Sequence, residues 1–178
     1  MNHIMIDLET MGNGPRAAII AIGAVEMDLS AGLLGQTFYR VVDLESSVTA
    51  GLEVDSSTII WWLKQGDEAR AAISKNGGPL IDALIDFTAW LQQCGDRKDL
   101  CIWGNGATFD NVVLASAYKA VGLLLPWTYK GDRCYRTVRA MYPDIVADHS
   151  EAGVAHHALA DAVYQANHLI KILGPRGA

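Results

Sequence analysis

The sequence predicts an α/β fold, a mixed central β-sheet flanked by α-helices. Three observations predict it. Three apolar, β-rich stretches follow one another in the first 45 residues with only turn signals between them. From residue 55 onward, amphipathic stretches with helical spacing alternate with compact apolar runs. Consecutive antiparallel strands ahead of alternating helices and strands exclude a purely parallel, doubly wound sheet.

The elements follow in order. "HIMIDLE" reads as a short opening strand, and "GNGP" at residues 12–15 is a turn signal. "AAIIAIGAVEMDL" is a second strand, buried on both faces at its start, and "GLLGQTFYRVVDL" is a third. The Asp28–Gly35 stretch holds Ser30 and two glycines, which predicts a hairpin there. "DSSTIIWWLKQG" has Ser and Asp caps in front and Gly66 behind, which suits a short helix, and "DEARAAI" adds another helical turn. After a loop at 76–79, "LIDALIDFTAWLQQCG" sets Leu80, Leu84, Phe87 and Leu91 on one stripe, with Gly95 as its stop. "DLCIWGN" is a compact strand and "FDNVVLASAYKAVG" a helix ending near Gly122. "LLLPWTYKGDRCYR" reads as loop with a short strand. "HALADAVYQANHLIKIL" is a final helix, with Ala158, Ala162, Ala166, Leu169 and Leu173 along one face.

The 178 residues fit one domain spanning residues 1–178, with no linker and no internal repeat. No apolar run reaches the roughly 18 residues of a membrane span, so no membrane partner is expected. The first ten residues reach acid too early for a signal peptide. Cys94, Cys101 and Cys134 are odd in number and widely spaced, so neither a disulfide framework nor a zinc site is expected, and a reducing cytoplasm is the default. A net charge of -6 argues against a protein that holds nucleic acid mainly through a basic surface. An enzyme acting on nucleic acid stays open, because bound divalent cations neutralise both an acidic site and an incoming phosphate.

Three short blocks carry the chemistry. Asp7 and Glu9 lie two apart on a presumed strand, so both side chains leave the same face. Paired carboxylates of this kind form an oxygen-rich ligand set suited to Mg²⁺ or Mn²⁺. A solvated strand end is the alternative. Asp110 opens a helix after a strand and a glycine-containing turn, where a plain N-terminal helix charge is the alternative. In "HHALADAV", His157 and Asp161 are four apart, which suits a structural pair if the helix already includes 157. His156 then falls on the entering loop, where it can reach over the site and act as a general base that deprotonates water. Together the blocks fit two-metal phosphodiester hydrolysis.

These residues resemble the motifs of the DEDDh exonucleases in the DnaQ-like superfamily, which have an RNase H-like fold. The first motif matches in "DLET" through Asp7 and Glu9, and the second in "NGATFD" through Asp110. The third, H-x-A-x-x-D, matches in "HHALAD" and assigns His156 as base and Asp161 as the last ligand. The resemblance runs from residue 4 to about 172, with no departure at the five core positions and one ambiguity in the doubled histidine. "IDLETMGNGPRAAIIAIGAV" and "TIIWWLKQ" are most similar to the branch holding RNase AS and phage DexA-type exonucleases. The resemblance implies 3′→5′ release of nucleoside 5′-monophosphates from a single-stranded 3′ end, with two divalent ions, Mg²⁺ or Mn²⁺, held by Asp7, Glu9, Asp110 and Asp161. Its RNase AS side implies RNA and a homodimer, and its DexA side implies DNA.

Further residues are candidate substrate contacts. Met11 and Gly12 directly follow the first carboxylates, where a backbone amide or the Met11 side chain can touch the terminal nucleotide; an ordinary turn is the alternative. Thr10 and Asn105 are counted with them. Phe109 reads as a packing residue first and a substrate contact second. Trp61, Trp62 and Trp103 can stack on bases, each for about 1–3 kcal/mol, or pack the core, and core is preferred for Trp103. Neighbours on a helix face different ways, so one of Trp61 and Trp62 is expected buried and the other exposed, lining the substrate groove or a dimer contact. Trp62 is taken as the substrate contact. Arg133, Arg136 and Arg139 form a small basic patch with Lys130; Arg136 is the candidate phosphate contact, against a solvated or inter-subunit face. His149 and His168 carry no pattern and are expected at the surface. Two rival functions remain: an RNase H-type endonuclease, and a catalytically silent nucleic-acid-binding or polymerase-associated module. The presence of all five chemical residues counts against the second.

Overall fold

The computed structural model describes residues 2–74, 76–148 and 156–175. Strands β1 (His3–Thr10), β2 (Ile19–Asp28) and β3 (Leu33–Val41) pair antiparallel in succession. The β2–β3 hairpin closes where Asp28 Oδ1 accepts the backbone N–H groups of Ser30 and Ala31, and Gly32 takes a φ of 70°. Helices α1 (Leu44–Thr49), α2 (Ser56–Leu63), α3 (Asp67–Ile73) and α4 (Leu80–Cys94) follow. The chain then alternates through β4 (Cys101–Gly104), α5 (Asp110–Ala120), β5 (Asp132–Cys134), α6 (Tyr135–Met141) and α7 (Ala158–Leu173). Strand order in the sheet is β3-β2-β1-β4-β5, and β4 runs parallel to both β1 and β5. The expected mixed sheet flanked by helices is therefore observed. Among the described residues, no helix is long and apolar enough to cross a membrane.

Alternation along β1 sorts the two layers. Ile4, Ile6 and Leu8 enter the larger core with Leu84, Phe87 and Leu91 of α4 and Leu114 of α5. Met5 enters the second core with Trp103, Tyr135 and Ala162, Ala166 and Leu169 of α7. Asp7 and Glu9 share the face of Met5, so the pleat turns both carboxylates toward α7. The predicted stripe of α4 is buried throughout.

The structure departs from the sequence reading in four places. Helix α1 was not expected: it has six residues, too few for a 3.6-residue period to show, and Asp43 caps it by accepting the Ser46 N–H. Helix α6 was not expected either: the loop and short strand read from the sequence end at Arg136, and the seven residues of α6 are too few to show a helical period, although Tyr135 anchors it in the second core. At the end of α7 the buried stripe continues through Ile172, while Leu173 is 39% exposed. His168 is buried, not at the surface. Its Nε2 donates to the Ile145 carbonyl at 2.7 Å, which leaves Nδ1 to accept from the Tyr135 hydroxyl at 2.6 Å. His149 lies outside the described residues.

Candidate active site

Strands β1 and β4 pair only over His3–Met5 and Cys101–Trp103. Beyond Met5, β1 runs on without that neighbour, and the carboxyl ends of the parallel strands open a crevice, the usual ligand position of α/β sheets. Asp110 enters it from the first turn of α5. The backbone amides of Asp110 itself, Asn105 and Leu8 hold its carboxyl pKa down against the effect of burial. Gly104 makes this approach feasible: a Cβ there would stand 2.5 Å from Asn111 Oδ1 and 3.0 Å from Asp110 Oδ2.

The third block arrives by a similar close approach. Gly23 of β2 sits opposite Asp7 in the ladder, and the start of α7 lies directly on it. A Cβ on Gly23 would meet the Ala158 carbonyl carbon at 2.2 Å and the Leu159 nitrogen at 2.3 Å. With that gap closed, Asp7, Glu9 and Asp161 each offer an oxygen within 4.8 Å of the others. Asp110 lies outside this trio, beside Asp7, and acts on it through its charge. One turn beyond Asp161, Gln165 donates its amide to Asp7 Oδ1 at 2.8 Å. Sequence reading missed Gln165; the signal was its i+4 position on the face of Asp161.

The doubled histidine separates into two roles. His157 is the N-cap of α7, its Nδ1 accepting the Ala160 N–H at 3.4 Å, and its ring stacks on Tyr39 at 4.5 Å. It stands ahead of the helix, so the expected side-chain pairing with Asp161 on one helical face does not form. His156 has a φ of 61° and is the one non-glycine residue with positive φ among the described residues. Its backbone N–H donates to Asp161 Oδ2 at 3.1 Å, and its ring meets Trp61 edge-on at 4.8 Å. His156 lines a cleft of about 360 Å³ together with Asp7, Glu9, Asn105, Asp161 and Gln165.

The acids perturb one another. Burial pushes Asp7 well above the usual carboxylate range, and the charges of Asp110, Glu9 and Asp161 push further against the Gln165 hydrogen bond. Glu9 is raised from 4.5 to about 8 by burial and then by Asp161 and Asp110. Asp110 is raised to about 6 by burial, opposed by its backbone hydrogen bonds and Arg136. Asp161 is raised by burial, with His156 opposing. Glu9 Oε1 is buried without a hydrogen-bond partner among the described residues. Packed oxygens, mutual repulsion and one orphaned acceptor fit hard divalent cations, which would favour the ionised form of every acid in the group.

A second pocket of about 510 Å³ adjoins the cleft and shares Leu8 and Glu9 with it. Thr10, Gly12 and Phe109 line it, as do Asn13, Ser57 and Thr58, which sequence reading missed. Met11 is not brought there: its N–H donates to the Ala18 carbonyl, its own carbonyl accepts from Asp55, and its side chain packs on the core. Trp62, expected as the substrate contact, also lines this pocket, with only 3% of its surface exposed and its indole N–H donated to the Thr10 carbonyl. The exposed neighbour is Trp61, at 42%. Trp103 is core, as read. Arg136 is exposed, with its guanidinium beside Gly106 in the turn before Asp110.

A five-stranded mixed sheet with acids gathered at the carboxyl ends of its parallel strands defines the class of DEDDh exonucleases with an RNase H-like fold. Residues 2–173 match the 3'-5' exoribonuclease Rv2179c-like domain, and the chain belongs to that family. It is 27% identical over 131 residues to an exodeoxyribonuclease of Enterobacteria phage T4, an alignment covering 68% of this chain and 57% of the phage protein. Among solved structures it is similar to exonuclease I, with a TM-score of 0.66 and 16% identity over 96% of this chain and 40% of that one. It is also similar to the nuclease domain of 3'hExo, a DEDDh family member bound to rAMP, with a TM-score of 0.63 and 15% identity over 96% of this chain and 90% of that one. E. coli exonuclease I has also been solved with a dT13 oligonucleotide. The chain thus spans 57% of the phage enzyme's length and 40% of exonuclease I.

Proposed function

We propose that this protein is a metal-dependent 3′→5′ exonuclease that releases nucleoside 5′-monophosphates from single-stranded RNA or DNA. The observation that supports this most is the convergence of Asp7, Glu9 and Asp161 within 4.8 Å, with Asp110 beside them, at the mouth of a cleft shared with His156. Asp7, Glu9, Asp110 and Asp161 would hold two divalent ions, Mg²⁺ or Mn²⁺. Such ions, when bound, lower the pKa of water and stabilise charge on the phosphate and leaving oxygens. His156 takes the proton of the attacking water. Its place depends on the Asp161 hydrogen bond to its backbone and on the edge of Trp61. Gln165 fixes the Asp7 carboxylate. The terminal nucleoside lies in the pocket of Thr10, Gly12 and Phe109, with Trp61 in place of Trp62 as stacking partner, and Asn105 and Arg136 face its phosphate.

The family description supports RNA and the phage relative supports DNA, so both belong in the test. The unpaired Cys94, Cys101 and Cys134 support a reducing, cytoplasmic setting, and the resemblance to the RNase AS branch supports a homodimer. The deciding experiment is degradation of matched 3′-labelled and 5′-labelled RNA and DNA oligonucleotides with Mg²⁺ or Mn²⁺. Labelled mononucleotide from the 3′ end is expected. Internal fragments would establish an endonuclease, and no cation-dependent product from any 3′ end would leave a binding module.

A further inference from the structure

Three hollows follow one another along the molecule. The pocket of Trp61 and Phe109 shares Leu8 and Glu9 with the carboxylate cleft. The cleft in turn shares Tyr135, Arg139 and Tyr164 with a groove of about 400 Å³ between α6 and α7. The two ends differ in charge. No lysine or arginine lines the Trp61 pocket, whereas Arg136 and Arg139 line the α6–α7 groove beside Tyr142 and Tyr164. In a chain with a net charge of -6 and only 14 basic residues, two arginines one helical turn apart at the edge of an acidic cleft mark a local reversal of sign.

That asymmetry matches the asymmetry of a polynucleotide 3′ end. The terminal nucleoside carries the phosphate under attack and no other beyond it. Every residue upstream adds a phosphate. A neutral aromatic pocket suits the first, and a basic groove with aromatic walls suits the second. The groove is also braced. The Arg139 guanidinium lies over the Tyr135 ring at 6.0 Å, and the Tyr135 hydroxyl, buried His168 and the Ile145 carbonyl form one hydrogen-bonded chain beneath it.

Resting on the exonuclease reading above, we propose that the α6–α7 groove is a subsite for the single strand immediately upstream of the scissile bond. Arg139 holds the next phosphodiester and Tyr142 stacks on its base. The groove then sets a minimum efficient substrate length and the direction in which the strand is fed.

The test compares oligonucleotides of two to eight residues with the p-nitrophenyl ester of a nucleoside 5′-monophosphate, whose leaving group carries neither a base nor a further phosphodiester. Both are assayed with Mn²⁺. For the unchanged protein, kcat/KM rises with length over the first few residues. Arg139→Ala lowers the ratio of oligonucleotide to ester kcat/KM by about tenfold, the loss of one charge-assisted hydrogen bond. It also flattens the salt dependence of oligonucleotide KM by about 0.7 in log–log slope, the share of one single-strand phosphate. Tyr142→Ala, which lies outside the cleft, lowers the same ratio while leaving the salt slope in place. Ester cleavage with a ratio and salt slope unmoved by either variant overturns the subsite and leaves the exonuclease reading intact. Failure to cleave either substrate overturns both.

Discussion

The pH dependence of stability in metal-free protein should be the reverse of that of a chain held by ordinary salt bridges. Glu9 is 7% exposed, and its folded-state pKa of about 8 stands well above its ordinary 4.5. Between those values the folded protein keeps a proton that the unfolded chain releases, so stability falls as pH rises. The gap corresponds to about 5 kcal/mol, fully lost only above pH 8. Glu9 alone is counted, because its shift already contains the repulsion of Asp161 and Asp110. For a chain of this length such a loss lowers Tm by roughly 10–20 °C. The assay is thermal unfolding in EDTA from pH 5 to pH 8.5, repeated with Mn²⁺. Tm should fall across that range in EDTA, and Mn²⁺ should raise it most at the alkaline end, where the acids are ionised. Glu9→Gln, which cannot charge, should be more stable than the unchanged protein at pH 8 in EDTA and gain less from Mn²⁺. A metal-free Tm that stays level or climbs from pH 5 to pH 8, or a Mn²⁺ effect larger at pH 5, would refute the reasoning.

Other substitutions separate roles that lie close together. His156→Ala should cut kcat by about 10²–10⁴ while Mn²⁺ binding measured by calorimetry persists; His157→Ala should instead cost about 1–3 kcal/mol of stability through the lost cap and Tyr39 stack and keep most activity. If His157→Ala is the inactive variant, the two assignments are reversed. Gly23→Ala must push the first turn of α7 off the sheet, so a loss of about 10² in kcat/KM is expected, with a lowered Tm. Gln165→Leu should weaken Mn²⁺ binding by about tenfold, since it leaves Asp7 without a charge-assisted partner, and an unchanged Mn²⁺ isotherm would remove Gln165 from the site. Trp61→Ala should raise KM for oligonucleotides with little change in Tm, whereas Trp62→Ala should lower the unfolding free energy by about 3–5 kcal/mol, as is typical of an emptied core position.

What could be read in the sequence was what repeats locally. Asp7 and Glu9 announce themselves because a strand puts i and i+2 on one face, and the α4 stripe because a helix of 15 residues shows its period. Helices α1 and α6, of six and seven residues, are too short to show one. Which of Trp61 and Trp62 is the exposed member could not be read, because adjacent helical positions are equivalent until a partner is known; the partner that buries Trp62 is the Thr10 carbonyl, 52 residues away. The loss of Met11 from the pocket has the same origin, since its amide is taken by Ala18 across the turn. His168 looked unremarkable because its partners, Tyr135 and the Ile145 carbonyl, come from separate stretches of chain.

The residues that most constrain the site therefore include two with no charge. Asp7 and Asp161 are 154 positions apart, and nothing in either block sets their separation in space. Gly23 does so, because only a residue without a Cβ lets the α7 backbone rest on β2 opposite Asp7. Gln165 then ties the same helix to Asp7 by a direct hydrogen bond. These contacts hold the acids where burial raises all four carboxylates above their ordinary pKa values and where repulsion between acids adds to the shifts of Asp7 and Glu9. The fold thus holds four acids in an arrangement that is unfavourable on its own and would become favourable with the proposed cations bound. Gly23→Ala and Gln165→Leu should therefore both lower cation affinity without the gain in metal-free stability at high pH that Glu9→Gln brings, because they disturb the geometry without removing a buried acid.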